Sequence, residues 1–180
     1  MAGIVRGSLT LLLVALALAG ALAIAAGVWL IRGGISAKGQ PGAFETAVAR
    51  RLRAAAIPGR ARTLGNPVQA TPEVINAGME HFADHCAVCH ANDGSGDTEM
   101  GRGLYPKVPD MRQAATQSLS DGELFYIIEN GVRFTGMPAF GSGKSDPAGE
   151  KQTWDLVTFI RHLPRLTPDE LGYMQSLNPL

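Results

Sequence analysis

The sequence predicts an all-α protein: a small helical domain preceded by a single transmembrane helix. Three observations lead there. No charged residue stands between Arg6 and Arg32. Downstream, four segments open with helix-start signals, and no convincing apolar–polar alternation of the kind a half-buried strand needs is present. Between the first two of those segments, residues 91–116 form a stretch bearing Gly, Pro and Asp with little helical signal. A loop of that length in a compact domain needs something beneath it.

The uncharged segment comes first. Leu11 to Ile31 is 21 residues of Leu, Ala, Ile, Val, Gly and Trp. At about 1.5 Å per residue it reaches roughly 30 Å, the hydrocarbon thickness of a bilayer. Trp29 sits at one end, where indoles favour the interface. Residues 1–31 therefore read as an uncleaved membrane anchor. A cleaved signal peptide is the alternative, and Ala23-Ile24-Ala25 fits its small-residue site, but the apolar run outlasts a usual signal-peptide core.

Residues 32–70 read as a basic linker rich in Gly, Pro and Arg. Within it, residues 44–56 could form a short basic helix, expected as a solvated spacer; contact with anionic lipid headgroups or with the acidic domain is the alternative. Residues 71–166 carry the helical signals. Thr71-Pro72-Glu73 supplies an N-cap, a proline at the first helical position and a first-turn acid, for a helix running to about Val88. Ser120 with Glu123 makes a capping box for a second helix that ends at Gly131. A third begins near Asp146-Pro147, keeps Leu156, Phe159, Ile160 and Leu163 at helical spacing, and stops at Pro164. Residues 167–180 read as a short capped helix and tail.

The formal net charge of zero hides a split. Residues 1–65 hold eight Lys+Arg and one acid, Glu45, for +7; residues 66–180 hold eight Lys+Arg and fifteen Asp+Glu, for −7. An acidic domain repels nucleic-acid phosphates and suits partners with a basic docking surface. The basic half is a tail beside the anchor. Two cysteines, Cys86 and Cys89, are too few for a four-cysteine zinc site or a multi-disulfide scaffold.

Cys86-Ala87-Val88-Cys89-His90 is a C-x-x-C-H sequence, the attachment signature of c-type haem. The spacing presents both sulfurs along one edge of the macrocycle for thioether bonds, and the adjacent His90 can ligate the iron. A thioredoxin-like reading needs a βαβ context that is missing here. A zinc reading would have to recruit His81 or His85 without a second cysteine pair. A covalently held haem would also fill the core of a domain with few helices. It requires the domain to face the exterior, periplasmic side, against the positive-inside count, which would place the basic flank in the cytoplasm; an attachment chemistry outweighs a statistical bias. Asp93-Gly94-Ser95-Gly96-Asp97 lacks the distal Glu of an EF-hand and reads as a turn beside the haem.

A second axial ligand has several candidates: Met79, Met100, Met111, Met137, Met174, His81, His85 and His162. Met79, His81 and His85 share the attachment helix and are poorly placed for the opposite haem face. His162 and Met174 read as surface or packing residues. Met111 follows Pro109-Asp110 in the long loop and competes. Met137 is favoured because Gly136 permits close backbone approach and Pro138 stiffens the chain behind it.

Residues 71–166 resemble a class I c-type cytochrome domain with a Gly-Met-Pro-x-Phe ligand loop, here Gly136-Met137-Pro138-Ala139-Phe140. Gly78, Phe82 and Cys86 stand four apart as on that family's first helix; Trp154, Leu156 and Phe159 match the partner positions on its last helix. Tyr105-Pro106 and Pro109-Asp110-Met111 resemble the loop lining the haem edge. The resemblance implies an electron carrier rather than an enzyme. It implies one covalent haem c on Cys86 and Cys89, iron held by His90 and Met137, and redox proteins as partners. A cytochrome subunit of a membrane oxidoreductase complex and a haem-based gas sensor remain alternatives.

Overall fold

The computed structural model describes residues 2–34 and 36–179; Met1, Ile35 and Leu180, which fall in the predicted anchor, linker and tail, lie outside the described residues. The chain forms two compact units, Met1–Ser36 and Ala37–Leu180. Among the described residues all regular structure is helical, as the sequence predicts.

The first unit is one helix, α1 (Ala2–Gly33). Ala and Leu dominate it and no proline interrupts it, so propensity and length act together. Its Gly7–Gly33 portion, 27 residues, is long and apolar enough to cross a bilayer.

The second unit begins with α2 (Ala43–Ala56) and the single turn α3 (Gly59–Arg62). Next comes α4 (Pro72–His81), with Thr71 Oγ1 accepting from the Val74 amide and Pro72 in the first turn. A π-helical turn, Phe82–Cys86, joins α4 to α5 (Ala87–His90). The expected helix from Thr71 to about Val88 is thus one continuous run of three parts that ends at His90. Two short helices, α6 (Glu99–Gly103) and α7 (Ala114–Gln117), occupy the stretch that had little helical signal. Thr98 caps α6 by accepting from the Gly101 amide at 2.8 Å. The capping box at Ser120 and Glu123 opens α8 (Asp121–Asn130), which Gly131 ends at φ +65°. Asp146 caps α9 (Pro147–His162), and a 3₁₀ turn at Leu163–Arg165 follows where Pro164 interrupts. Thr167 and Glu170 form the capping box of α10 (Pro168–Leu177).

The core forms where α4 and its π turn cross α9. Phe82 and Phe159, both fully buried, pack with ring centroids 5.2 Å apart. Trp154 stacks on Phe125 at 4.2 Å, fastening α9 to α8. Met79, Leu156, Val157 and Leu163 complete the densest part.

Segments on either side of the predicted domain join it. Ile57 and Ala61 are buried, and a β-carbon on Gly122 of α8 would stand 1.9 Å from the Ala61 carbonyl oxygen. Arg62 faces Glu123 at 3.6 Å, and Asn66 Nδ2 donates to Thr158 Oγ1 at 2.9 Å. At the other end Met174 is fully buried, and Asn178 Nδ2 donates to the Ala83 carbonyl at 2.7 Å.

Candidate functional site

The Cys-x-x-Cys-His turn is held by its backbone. Ala91, at φ +61°, ends α5 and donates its amide to the Ala87 carbonyl at 2.8 Å. The chain then folds back, so that the Gly96 amide reaches the His90 carbonyl at 2.8 Å. Gly94 and Gly96 both sit in the left-handed region, at φ +74° and +76°, which the expected turn after the motif requires. Thr98 Oγ1 donates to the Val88 carbonyl at 2.8 Å, satisfying one of the carbonyls that the end of α5 leaves free. A β-carbon on Gly101 would stand 2.6 Å from the Cys89 carbonyl oxygen, so α6 presses directly on the motif.

Cys86, the last residue of the π turn, and Cys89 in α5 stand three residues apart, the spacing of neighbours on one helix face. Burial, reinforced by Cys89, pushes the Cys86 thiol up to about 12, and burial also raises Cys89. His90 is 9% exposed, its ring packs 6.3 Å from that of Phe82, and its Nδ1 is buried with no hydrogen-bond partner. Burial pulls the imidazole down to about 4, so it is neutral at ordinary pH. A neutral imidazole has a nitrogen lone pair to give, and an unclaimed buried ring nitrogen is costly unless something takes it up. Two thiols on one face and a neutral, underused imidazole beside them fit a covalently attached haem.

Met137 lies in a loop closed on itself. Its amide donates to Thr135 Oγ1 at 3.1 Å, and its carbonyl accepts from the Val132 amide at 3.1 Å. The loop then returns to α8: the Phe140 and Gly141 amides reach the Ile128 and Glu129 carbonyls at 3.1 and 3.0 Å. A β-carbon on Gly131 would stand 2.8 Å from the Met137 carbonyl oxygen, so the turn closes only with glycine there. Gly136 rests on Leu104, where a β-carbon would stand 2.6 Å from Cδ2. A chain of contacts therefore runs from Cys89 to Gly101, along α6 to Leu104, and on to the residue before Met137.

The other candidate ligands occupy different surroundings. Met79, Met111 and Met174 are buried in the apolar core cluster, to which Met137 does not belong. Met100 is exposed. His81 and His85 lie edge to face at 4.8 Å, and His162 pairs with Glu170 at 2.9 Å. Among the described residues no group of three or more His, Cys, Asp or Glu is placed to hold a metal ion, so neither His81 nor His85 completes a zinc set with the cysteines.

Sequence reasoning passed over three residues that hold this site. Thr98 and Gly101 brace the end of the motif helix, and Thr98-Glu99 is a cap signal that could have revealed α6. Asn178 ties the tail to the motif on two sides, since its carbonyl also accepts from Asn92 Nδ2 at 2.8 Å. No local pattern announces that contact.

Residues 73–160 match the family model described as cytochrome c oxidase, cbb3-type, subunit III. No curated protein matches the chain.

Proposed function

We propose that this chain, whose residues 73–160 form a class I c-type cytochrome domain, is a membrane-tethered electron carrier with its haem domain on the exterior, periplasmic side. The family implies covalently bound haem c, and the chain holds one C-x-x-C-H sequence for it. When bound, the haem supplies a one-electron iron couple. Cys86 and Cys89 would anchor the macrocycle through thioether bonds, and the neutral, buried His90 would give a nitrogen lone pair to the iron. Met137 would give its thioether as the second protein ligand. Iron held by two side chains would suit one-electron transfer and would leave no place for a substrate. The observation that carries this reading is the orphaned ring nitrogen of His90 directly after the two cysteines. The test is extraction of the denatured protein with acidified organic solvent, followed by weighing the chain. Retention of the haem mass on the polypeptide supports the reading; haem leaving with the solvent from an unmodified chain overturns it.

A second reading, a fixed subunit of a membrane oxidoreductase complex, is favoured by the description of the matching family. Its partners would be the catalytic subunits. Isolation of the native protein in mild detergent distinguishes the two: a stoichiometric oxidoreductase retained through purification supports the subunit, and a chain that separates from its redox partners supports the shuttle. Protease added to intact spheroplasts tests the side, with digestion expected and protection until lysis overturning it.

A further inference from the structure

Helix α2 is turned the wrong way for a helix of a water-soluble domain. Phe44, Val48 and Leu52 recur every four residues and, with Ala55, fall within roughly 80° of one another around the axis. Such a stripe normally faces a core. Here it faces outward: Phe44 is 83% exposed and Leu52 64%. The two α2 side chains that lose most solvent are polar, Thr46 and Arg53, on the opposite side. Arg53 Nε is fully buried. The polar side is thus the less exposed one, and the apolar stripe is left open.

The charge around the stripe says what covers it. Arg50, Arg51 and Arg53 are on the helix, Lys38, Arg60 and Arg62 flank it, and Glu45 is the one acid from residue 37 to 65. Glu45 is engaged by the Tyr105 hydroxyl at 2.5 Å. An apolar stripe with Phe and Leu, set among arginines on a helix of low overall hydrophobicity, has the make-up of an interfacial membrane helix. The tether agrees. Nine residues, 34–42, separate α1 from α2, and a fully extended stretch of that length reaches only about 30 Å.

We propose that α2 lies in the interface of an anionic bilayer, with Phe44, Val48 and Leu52 inserted among the acyl chains and the exposed Arg50 and Arg51 among lipid phosphates. This rests on the reading of α1 as a membrane anchor. The helix would hold the cytochrome domain at the bilayer surface in one orientation, with its haem at a fixed height, instead of swinging on a loose leash.

The experiment uses the full haem-loaded chain in vesicles of phosphatidylcholine with phosphatidylglycerol. Thioether formation consumes Cys86 and Cys89, so Leu52→Cys and Ala54→Cys each offer one thiol for a nitroxide label. Relaxation by oxygen, which concentrates in lipid, is compared with relaxation by a water-soluble nickel chelate; the haem's own effect is common to both. At position 52 oxygen should dominate, at the off-stripe position 54 nickel should, and the bias at 52 should shrink in pure phosphatidylcholine and in high salt. Equal nickel access at 52 and 54 would show a solvated spacer and overturn the proposal. Shielding of 52 from both relaxants would overturn it in favour of a protein partner or a second copy. Alkaline carbonate washing reads the anchor separately: release of the chain defeats the anchor reading, while the label at 52 still judges α2.

Discussion

A β-carbon on Gly78 would stand 2.3 Å from the carbonyl oxygen of Asp155 and 2.8 Å from Cβ of Phe159. The α4–α9 crossing is therefore backbone against backbone, and it is the contact on which the site depends. One turn on, at the start of the π turn, Phe82 packs against Phe159 on one side and the His90 ring on the other.

Gly78→Ala should accordingly separate the helices, because the obstacle is a carbonyl and not a side chain that can rotate away. Overpacking of this kind costs about 1–3 kcal/mol. The expected result is a thermal midpoint several degrees lower in the haem-loaded protein. Gly172→Ala is the control, since nothing lies within 4 Å of its would-be β-carbon. Equal midpoints for the two variants would show that the crossing has slack.

Acid stability should carry a signature of the loop at Asp110. Arg112 grips it through two nitrogens, at 2.8 and 2.9 Å, and these bonds hold the carboxyl down at about 2. Unfolded, the same group titrates near ~3.9. Its folded value is depressed, so the contribution is full above the unfolded value and is lost as pH falls from about 4 through 2. The pair is partly open to solvent, which limits the effect to about 1 kcal/mol at most. Asp110→Asn should flatten the fall of the urea midpoint in that window and leave the midpoint's pH dependence above pH 5 unchanged. An identical acid limb in both proteins would assign the loss to other carboxylates.

Association with a redox partner should slow as salt is added. Residues 66–180 carry −7, and the basic charge of residues 37–65 is concentrated on α2 and α3. A basic partner would then be steered to the acidic side by long-range attraction that ionic strength screens. The measurement is the bimolecular electron-transfer rate across a salt series. A flat series would mean that the acids lie away from the docking face.

Much of this architecture is legible because its signals are local. Thr71, Ser120, Asp146 and Thr167 each cap the helix expected of them, since a cap needs only a side-chain oxygen a few residues from an open amide. The Cys-x-x-Cys-His motif is equally local. The π turn at Phe82–Cys86 is not: nothing in Phe-Ala-Asp-His-Cys asks for the extra residue, which the packing of Phe82 between Phe159 and His90 accommodates. Nor is the docking of Ile57 and Ala61, because the reason is Gly122, sixty residues away, whose missing side chain admits the Ala61 carbonyl. Composition leads to a solvated spacer helix at residues 44–56, and no residue of α2 is buried; what composition does not say is which face of that helix is the more open.

The sharpest prediction concerns Met137 and Met111, the two methionines that compete for the iron. Their surroundings differ in kind. Met111 is 9% exposed within the apolar core, with its backbone tied to Gly94 at 2.8 Å and to Gln117 at 2.7 Å. Its role there is packing. Met137 is half-buried, outside that core, on a loop whose closure at Gly131 requires glycine and whose Gly136 rests against the Leu104 side chain. It stands 47 residues after His90, with α6, α7 and α8 between, enough chain to pass around a haem to its far face. Thioether sulfur is soft and favours ferrous iron, so its loss should lower the reduction potential. Met137→Ala should abolish the weak long-wavelength iron–sulfur band of the oxidised protein and open the reduced iron to carbon monoxide, with little change in stability from lost core packing. Met111→Ala should do the reverse: the band and potential persist, while the protein loses about 2–5 kcal/mol to the cavity left in the core. Optical spectra and urea titrations of the two variants separate the cases. If the band disappears with Met111 and survives the loss of Met137, the long loop supplies the ligand and the Gly-Met-Pro turn is structural.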